Sequence, residues 1–69
     1  MNSNLIHIEV LKYMGKNIKF KYYEKEYEGF VTSINIDYKN KYTLFIKDSL
    51  IPFEEDGLYE ISIIEENIL

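Results

Sequence analysis

Three consecutive acids, Glu54, Glu55 and Asp56, form the densest group of side chains in this sequence that could do chemistry. General acid–base catalysis uses two carboxylates that lie in different environments and face a shared cleft. Three neighbouring acids directly before a glycine are typical of one exposed turn instead, and their spacing matches no calcium loop. We therefore expect a solvated turn with at most weak affinity for Ca²⁺ or Mg²⁺, and we assign no catalytic and no metal-binding residue.

Other reactive residue types are sparse. The 69-residue chain contains one histidine, His7, and no cysteine. Without cysteine there can be no disulfide and no thiolate metal site, and the sequence has no glycine-rich phosphate loop. His7 lies in an amphipathic segment far from any Ser–Asp pair, where a single histidine is more often a surface residue than a general base. These observations predict a non-enzymatic protein without a cofactor.

Charge is unevenly distributed along the chain, which has a net charge of −4. All eight lysines lie between Lys12 and Lys47, whereas the sequence from Asp48 onward carries only acids. If the two parts pair in the fold, their charges neutralise each other; if they face apart, the last third forms an acidic face. An acidic face repels nucleic acid and suits basic, nucleic-acid-binding proteins. The alternative is a solvated surface that keeps a small protein soluble.

Aromatic residues are numerous, with seven tyrosines and four phenylalanines. We expect Phe20, Phe30, Phe45 and some of the tyrosines in the core, because a chain this small cannot bury all eleven rings. Exposed tyrosines could anchor a protein interface. Beside lysines they could also stack on nucleic-acid bases. A third explanation is the high strand propensity of tyrosine.

These side chains must be positioned by β-strands, because apolar and polar residues alternate from residue 18 onward. Gly29 lies within the longest predicted strand, where a glycine often marks a bulge or a bend, and we expect the inward-facing set to change parity along that strand. Polar turns are predicted at 24–26, 37–40 and 54–57. The predicted strands cover residues 18–23, 27–36, 42–47 and 58–64, with an extended segment at 50–53.

The segment 5–14 fits two structures. Alternation of Ile6, Ile8 and Val10 with polar residues predicts a strand, and the β-branched content favours it. Apolar residues at helical spacing, together with a possible cap at Ser3 or Asn4, leave a short helix open.

Taken together, the pattern predicts one all-β domain over residues 1–69. A flat sheet of four or five short antiparallel strands could not bury both of its apolar faces, whereas a small five-stranded antiparallel barrel could. No apolar run approaches the ~20 residues of a membrane span, and no signal peptide is visible. We therefore expect a cytoplasmic protein that does not bind membranes, in the host cytoplasm if a phage encodes it.

Several segments resemble the first motif of Sm-like proteins: Leu11–Phe20, the step Tyr27-Glu28-Gly29-Phe30-Val31, Asp37–Asn40 and Tyr42–Leu44. The resemblance implies a small SH3- or Sm-type barrel in which a short helix leads into a curved strand. It also implies an RNA-contacting loop, carried here by Tyr38, Lys39, Asn40 and Lys41. Where that family has an Arg-Gly step beside the RNA, this chain has Ile64-Glu65.

The leading functional expectation is a protein-binding module that occupies a basic, nucleic-acid-binding surface of a larger partner, such as a nucleic-acid-handling enzyme. By analogy, phage-encoded inhibitors of bacterial defence nucleases, including anti-CRISPR proteins, are often acidic single domains of this size. The expected contact residues are Glu54, Glu55, Asp56, Tyr59 and Glu60. The alternative is an Sm-like oligomeric RNA-binding protein, for which the net negative charge is unfavourable. A third possibility is an assembly subunit sealed by homo-oligomer contacts.

Overall fold

The computed structural model describes residues 9–64 and confirms the all-β prediction. Its five strands pair antiparallel in one sheet, in the order β4-β3-β2-β1-β5. A three-residue 3₁₀ helix, η1, connects β4 to β5. The bounds are Asn17–Tyr22 for β1, Lys25–Ile36 for β2, Tyr42–Ile46 for β3, Phe53–Glu54 for β4, Glu55–Gly57 for η1 and Leu58–Ile63 for β5.

The chain ahead of β1 is helical where it is described. Residues 9–11 have helical backbone, and turn hydrogen bonds continue from the amides of Tyr13 and Met14 to the carbonyls of Val10 and Leu11. Val10 is buried and joins the core. The helical alternative therefore holds for this part of the segment 5–14. Residues 5–8 with His7, and the chain after Ile64, lie outside the described residues.

β2 is the strand that organises the sheet, because it pairs with β1 through its first half and with β3 through its second half. A β-bulge lies at Thr32, where the register passes from Val31↔Ile46 to Ser33↔Phe45. The Thr32 hydroxyl donates to the Phe45 carbonyl over 3.1 Å. A bulge bends its strand and shifts the inward-facing set by one residue. The predicted change of parity is thus confirmed.

Gly29 serves close packing between strands. A Cβ atom at this position would overlap with Cγ2 of Ile46, a core residue of β3. The bend itself follows three residues later, at the bulge. The glycine predicted to mark a bend therefore lets β3 approach β2 closely.

The first hairpin turn lies earlier than predicted. Tyr22 pairs with Lys25, so the turn consists of Tyr23 and Glu24, and Lys25 and Glu26 belong to β2. Tyr23 has a φ of 58°. Residues other than Gly, Asn and Asp seldom adopt this conformation, and for that reason the sequence did not indicate a turn at this position.

The core contains one phenylalanine from the expected set and one from outside it. Phe20 is buried as predicted. The prediction that Phe30 and Phe45 lie in the core is wrong, because these residues are 38% and 37% exposed. Their strand neighbours fill the core instead, and consecutive strand residues face opposite sides. Phe53 is 2% exposed and lies in the centre. The buried set is Val10, Ile18, Phe20, Val31, Leu44, Ile46 and Phe53.

Phe53 shows that the sheet is strongly curved. Its ring centroid lies 4.9 Å from that of Phe20, 5.0 Å from that of Tyr22 and 4.9 Å from that of Tyr27. Phe53 belongs to β4 and Phe20 to β1, and in a flat sheet these two strands would lie three spacings, about 14 Å, apart. The sheet therefore curls, and its concave face holds the core.

We expect Phe53→Leu to lower the free energy of unfolding by about 1–2 kcal/mol, less than the ~3–5 kcal/mol of a full truncation to alanine. Phe45→Leu makes the same chemical change on the opposite face and should cost less than about 0.5 kcal/mol. Urea denaturation followed by circular dichroism measures both. Equal losses for the two variants would contradict this assignment of core and surface.

Candidate functional site

The five predicted contact residues lie along one continuous stretch of chain. Glu54 ends β4, Glu55 and Asp56 begin η1, and Tyr59 and Glu60 lie in β5. The acidic turn expected from the sequence is thus η1. The acids among the five residues differ in their surroundings, and each side chain makes different contacts.

Glu55 ties η1 to β3. Its carboxylate Oε1 accepts a hydrogen bond of 3.2 Å from the backbone N–H of Tyr42. Burial raises the pKa of the half-buried Tyr42 phenol, and the negative charge of Glu55 raises it further. The hydrogen bond to the Tyr42 N–H holds Glu55 against the body of the domain. Its role is therefore structural, and among the five residues it is the least suited to meet a partner.

Asp56 and Glu60 bind lysines from the part of the chain that precedes Asp48. Asp56 Oδ1 lies 2.6 Å from Lys41 Nζ, and Glu60 Oε1 lies 3.1 Å from Lys21 Nζ. These contacts raise the pKa values of Lys41 and Lys21 above the usual value. Basic and acidic parts of the chain therefore pair at these two points, as one of the two alternatives had it, whereas Glu54 and Glu55 form no ion pair with any of the residues 9–64. All four side chains remain well exposed, and such pairs contribute little stability, so an approaching cation can compete for the carboxylates.

Glu60 reaches Lys21 because the backbone of β5 is irregular. The register with β1 passes from Lys19↔Ser62 to Lys21↔Tyr59, so β5 carries an additional residue. Glu60 has a φ of 54° at this bulge. Bulges redirect side chains out of the regular alternation. The alternation of residues along β5 therefore could not predict the direction of the Glu60 carboxylate.

An open concavity of about 480 Å³ lies between the β1–β2 turn and the start of β5. The N–H of Tyr23 donates to the Gly57 carbonyl over 2.8 Å, and the Tyr59 hydroxyl donates to the Tyr23 carbonyl over 2.7 Å. These bonds hold the two segments together. The lining residues are Tyr23, Glu24, Asp56, Gly57 and Tyr59.

Gly57 makes this contact between the two segments possible. A Cβ atom there would lie 2.5 Å from Cε2 of Tyr23 and 2.8 Å from Cε1 of Tyr22, so any larger residue would displace the rings. Sequence reasoning missed Tyr23 and Glu24 as site residues. The adjacent tyrosines before an acid were a visible signal, but Tyr59, the hydrogen-bond partner of Tyr23, lies 36 positions away.

A smaller concavity of about 160 Å³ adjoins the first, since Asp56 lines both. It joins η1 to the turn between β2 and β3, the loop for which RNA contact was expected. Its lining residues are Asp37, Lys41, Tyr42, Thr43, Glu54, Glu55 and Asp56. The two alternative sites predicted from the sequence are therefore neighbours.

The expected RNA loop is an ordered turn. Asp37 Oδ1 accepts the backbone N–H groups of Lys39 and Lys41 at 2.8 and 3.0 Å, and Asn40 adopts a φ of 67°. Tyr38 is 90% exposed, and Lys39 Nζ lies 5.7 Å from its ring centroid. Lys41, in contrast, is bound by Asp56. One of the two loop cations is thus neutralised by an acid.

A metal site with three side-chain ligands and a membrane-spanning helix each have requirements that residues 9–64 do not meet. In this part of the chain, no three histidine or acidic side chains cluster closely enough to hold a metal ion. None of its helical segments has the length and hydropathy to cross a membrane.

No family model, curated protein or solved structure matches the chain. Functional assignment therefore rests on the residues and distances described above.

The turn at Asp37 gives a pH-dependent prediction. The hydrogen bond from the N–H of Lys41 is the main cause that holds the pKa of the Asp37 carboxyl below its usual value of 3.8. Because the folded pKa is depressed, Asp37 stabilises the fold above its usual pKa, and this contribution is lost as the pH falls through the folded value. A carboxyl-carbon NMR titration should give a midpoint below 3.8.

Asp37→Asn is the matched control, because asparagine keeps an acceptor oxygen but cannot ionise. Its stability should fall less steeply below the usual pKa of the carboxyl than that of the wild-type protein. A midpoint at or above the usual value in the wild-type protein would contradict the role assigned to Asp37.

Proposed function

We propose that this protein is a non-enzymatic binding module that docks on a basic surface of a larger, nucleic-acid-handling protein. Its contact region would centre on η1 and include Glu54, Asp56, Tyr59 and Glu60. The module would act by occlusion, because a partner surface occupied by these acids can no longer bind phosphates.

One observation carries this proposal: the two adjoining concavities are lined by five acids and one cation. The acids come from three separate parts of the fold, and the cation, Lys41, is bound to one of them. Such a surface attracts positive charge and repels phosphate. The five acids are Glu24, Asp37, Glu54, Glu55 and Asp56.

Exposed tyrosines beside the acids support a protein interface. Tyr23 is 59% exposed and Tyr59 is 43% exposed, and both line the larger concavity. Tyrosine offers a large contact area at low entropic cost and is enriched among residues that dominate binding energy. The hydrogen bond from the Tyr59 hydroxyl to the backbone carbonyl of Tyr23 holds the Tyr59 ring against the β1–β2 turn before a partner arrives.

We further propose that the curled sheet forms a small SH3- or Sm-type barrel. Three features support it: helical backbone ahead of β1, the bulged β2 with Gly29, and the packing of Phe53 against β1 and β2. In this form the module would belong with small inhibitors such as the phage-encoded blockers of defence nucleases. The size and net charge of the chain support that class by analogy.

The test compares three immobilised forms of the protein in lysate of a bacterial host. The triple variant Glu54→Gln, Asp56→Asn, Glu60→Gln removes three charges at the proposed surface. The matched control Glu26→Gln, Glu28→Gln, Asp48→Asn removes three charges of the same types elsewhere. We expect wild type and control to capture a basic partner that the triple variant binds about tenfold or more weakly, since desolvated charge contacts are lost.

The captured partner is then purified and its binding to a labelled oligonucleotide is measured. The wild-type module should displace the oligonucleotide, and the triple variant should not. Equal capture by all three forms would refute the acidic contact surface. An oligonucleotide that stays bound in the presence of the wild-type module would refute occlusion.

A second candidate function is Sm-like RNA binding, and the exposure of Tyr38 beside Lys39 favours it. Together these side chains could stack on a base and neutralise a phosphate. The acids that surround Lys41 disfavour it.

Light scattering on the size-exclusion peak, recorded with the ratio of absorbance at ~260 and ~280 nm, separates the two candidates. We expect a monomer or dimer free of nucleic acid. A ring-sized species with bound RNA would favour the second candidate. Its RNA affinity should then fall steeply with salt and be lost in Tyr38→Ala.

A further inference from the structure

The larger concavity is preformed by hydrogen bonds that join its two sides. The β1–β2 turn supplies Tyr23 and Glu24, and the chain from η1 into β5 supplies Asp56, Gly57 and Tyr59. The hydrogen bonds from Tyr23 to Gly57 and from Tyr59 to Tyr23 fix the distance between the sides. A preformed cavity binds a small group without first losing conformational entropy.

The lining of this concavity suits a planar cation. Two tyrosines and the acids Glu24 and Asp56 line it, and none of the described lining residues is basic. The face of a tyrosine ring attracts cations. Lys41 contacts Oδ1 of Asp56, which leaves a second carboxylate oxygen for another donor. Glu24 forms no ion pair with any of the residues 9–64.

The backbone conformation of Tyr23 is unusual for its residue type. Its φ of 58° lies in the left-handed region, where glycine or asparagine would be favoured over a bulky aromatic residue. The residue is nevertheless 59% exposed. A strained backbone at an exposed aromatic residue is a reason to look for function there.

We propose that this concavity binds an arginine side chain presented by the protein partner. A guanidinium is planar, stacks on tyrosine faces and donates paired hydrogen bonds to carboxylates, whereas an ammonium is a strongly hydrated point charge. A nucleobase could stack on the same rings, but its phosphates would meet Glu24 and Asp56. The proposal rests on the proposed function and assigns the residue type that the surface recognises.

The experiment titrates ¹⁵N-labelled full-length protein with N-acetyl-arginine amide and follows the backbone amides by NMR. N-acetyl-citrulline amide is the matched probe, because it has the same shape without the charge. We expect saturable shifts at residues 23, 24 and 56–59 with the arginine probe and none with citrulline. Equal shifts with both probes, or shifts elsewhere only, would overturn the proposal. Tighter binding of N-acetyl-lysine amide, or of a nucleoside monophosphate, would overturn the choice of arginine.

Two protein variants test the carboxylates. Glu24→Gln with Asp56→Asn should weaken binding of the arginine probe by about fivefold or more. Glu28→Gln with Asp48→Asn changes net charge equally outside the concavity and should leave the affinity unchanged. Glu24→Gln alone should weaken binding with the Asp56–Lys41 pair intact. The proposal would be overturned if the single variant Glu24→Gln and the double variant with Asp56→Asn both bound the arginine probe as tightly as the wild-type protein.

Failure here is distinguishable from failure of the proposed function. If the arginine probe does not bind but the triple variant still loses the partner, the module binds its partner without this concavity. If the probe binds but the triple variant retains the partner, the concavity stands and the proposed acidic contact surface does not.

Discussion

The rest of the structure depends on one constraint: the two edge strands of the sheet are joined by three residues. β4 and β5 lie at opposite ends of the strand order, yet only η1 separates them in sequence. In a flat five-stranded sheet the edges lie about 19 Å apart, whereas three connecting residues reach at most about 14 Å even when extended. A 3₁₀ turn, with a rise of about 2 Å per residue, reaches less. The sheet must therefore curl, and the ring of Phe53 meets those of β1 and β2 across the concave side.

The same constraint assembles the candidate site. Because η1 crosses from one edge to the other, its acids pass close to two hairpin turns that are distant in sequence. The β1–β2 turn contacts Gly57 and Tyr59, and the β2–β3 turn contacts Asp56 through Lys41. The site therefore depends on the curvature of the sheet, because any change that opened the sheet would also separate the walls of both concavities. Phe53 supports this arrangement from the core side.

Much of the fold could be predicted from the sequence, and the errors have physical causes. Alternation of residue types identified the strands and the change of parity in β2, because burial of one face enforces a period of two. Phe30 and Phe45 were misplaced because hydrophobicity alone does not tell which of two adjacent apolar residues faces inward. The first turn was misplaced because Tyr23 adopts a backbone conformation unusual for its type. Bulges and left-handed residues are decided by tertiary contacts and leave little trace in local sequence.

For the site, the sequence located the acids but not their surroundings. The run from Glu54 to Glu60 was recognisable because charge is read directly from residue type. Its division into a structural acid, Glu55, and exposed ones depends on long-range contacts. The pairing of Lys41 with Asp56 has the largest consequence, since it places the expected RNA loop within the field of the acids. The expected RNA loop and the expected protein-contact residues, which are separate in the sequence, therefore share one surface in the fold, and that surface carries more acids than lysines.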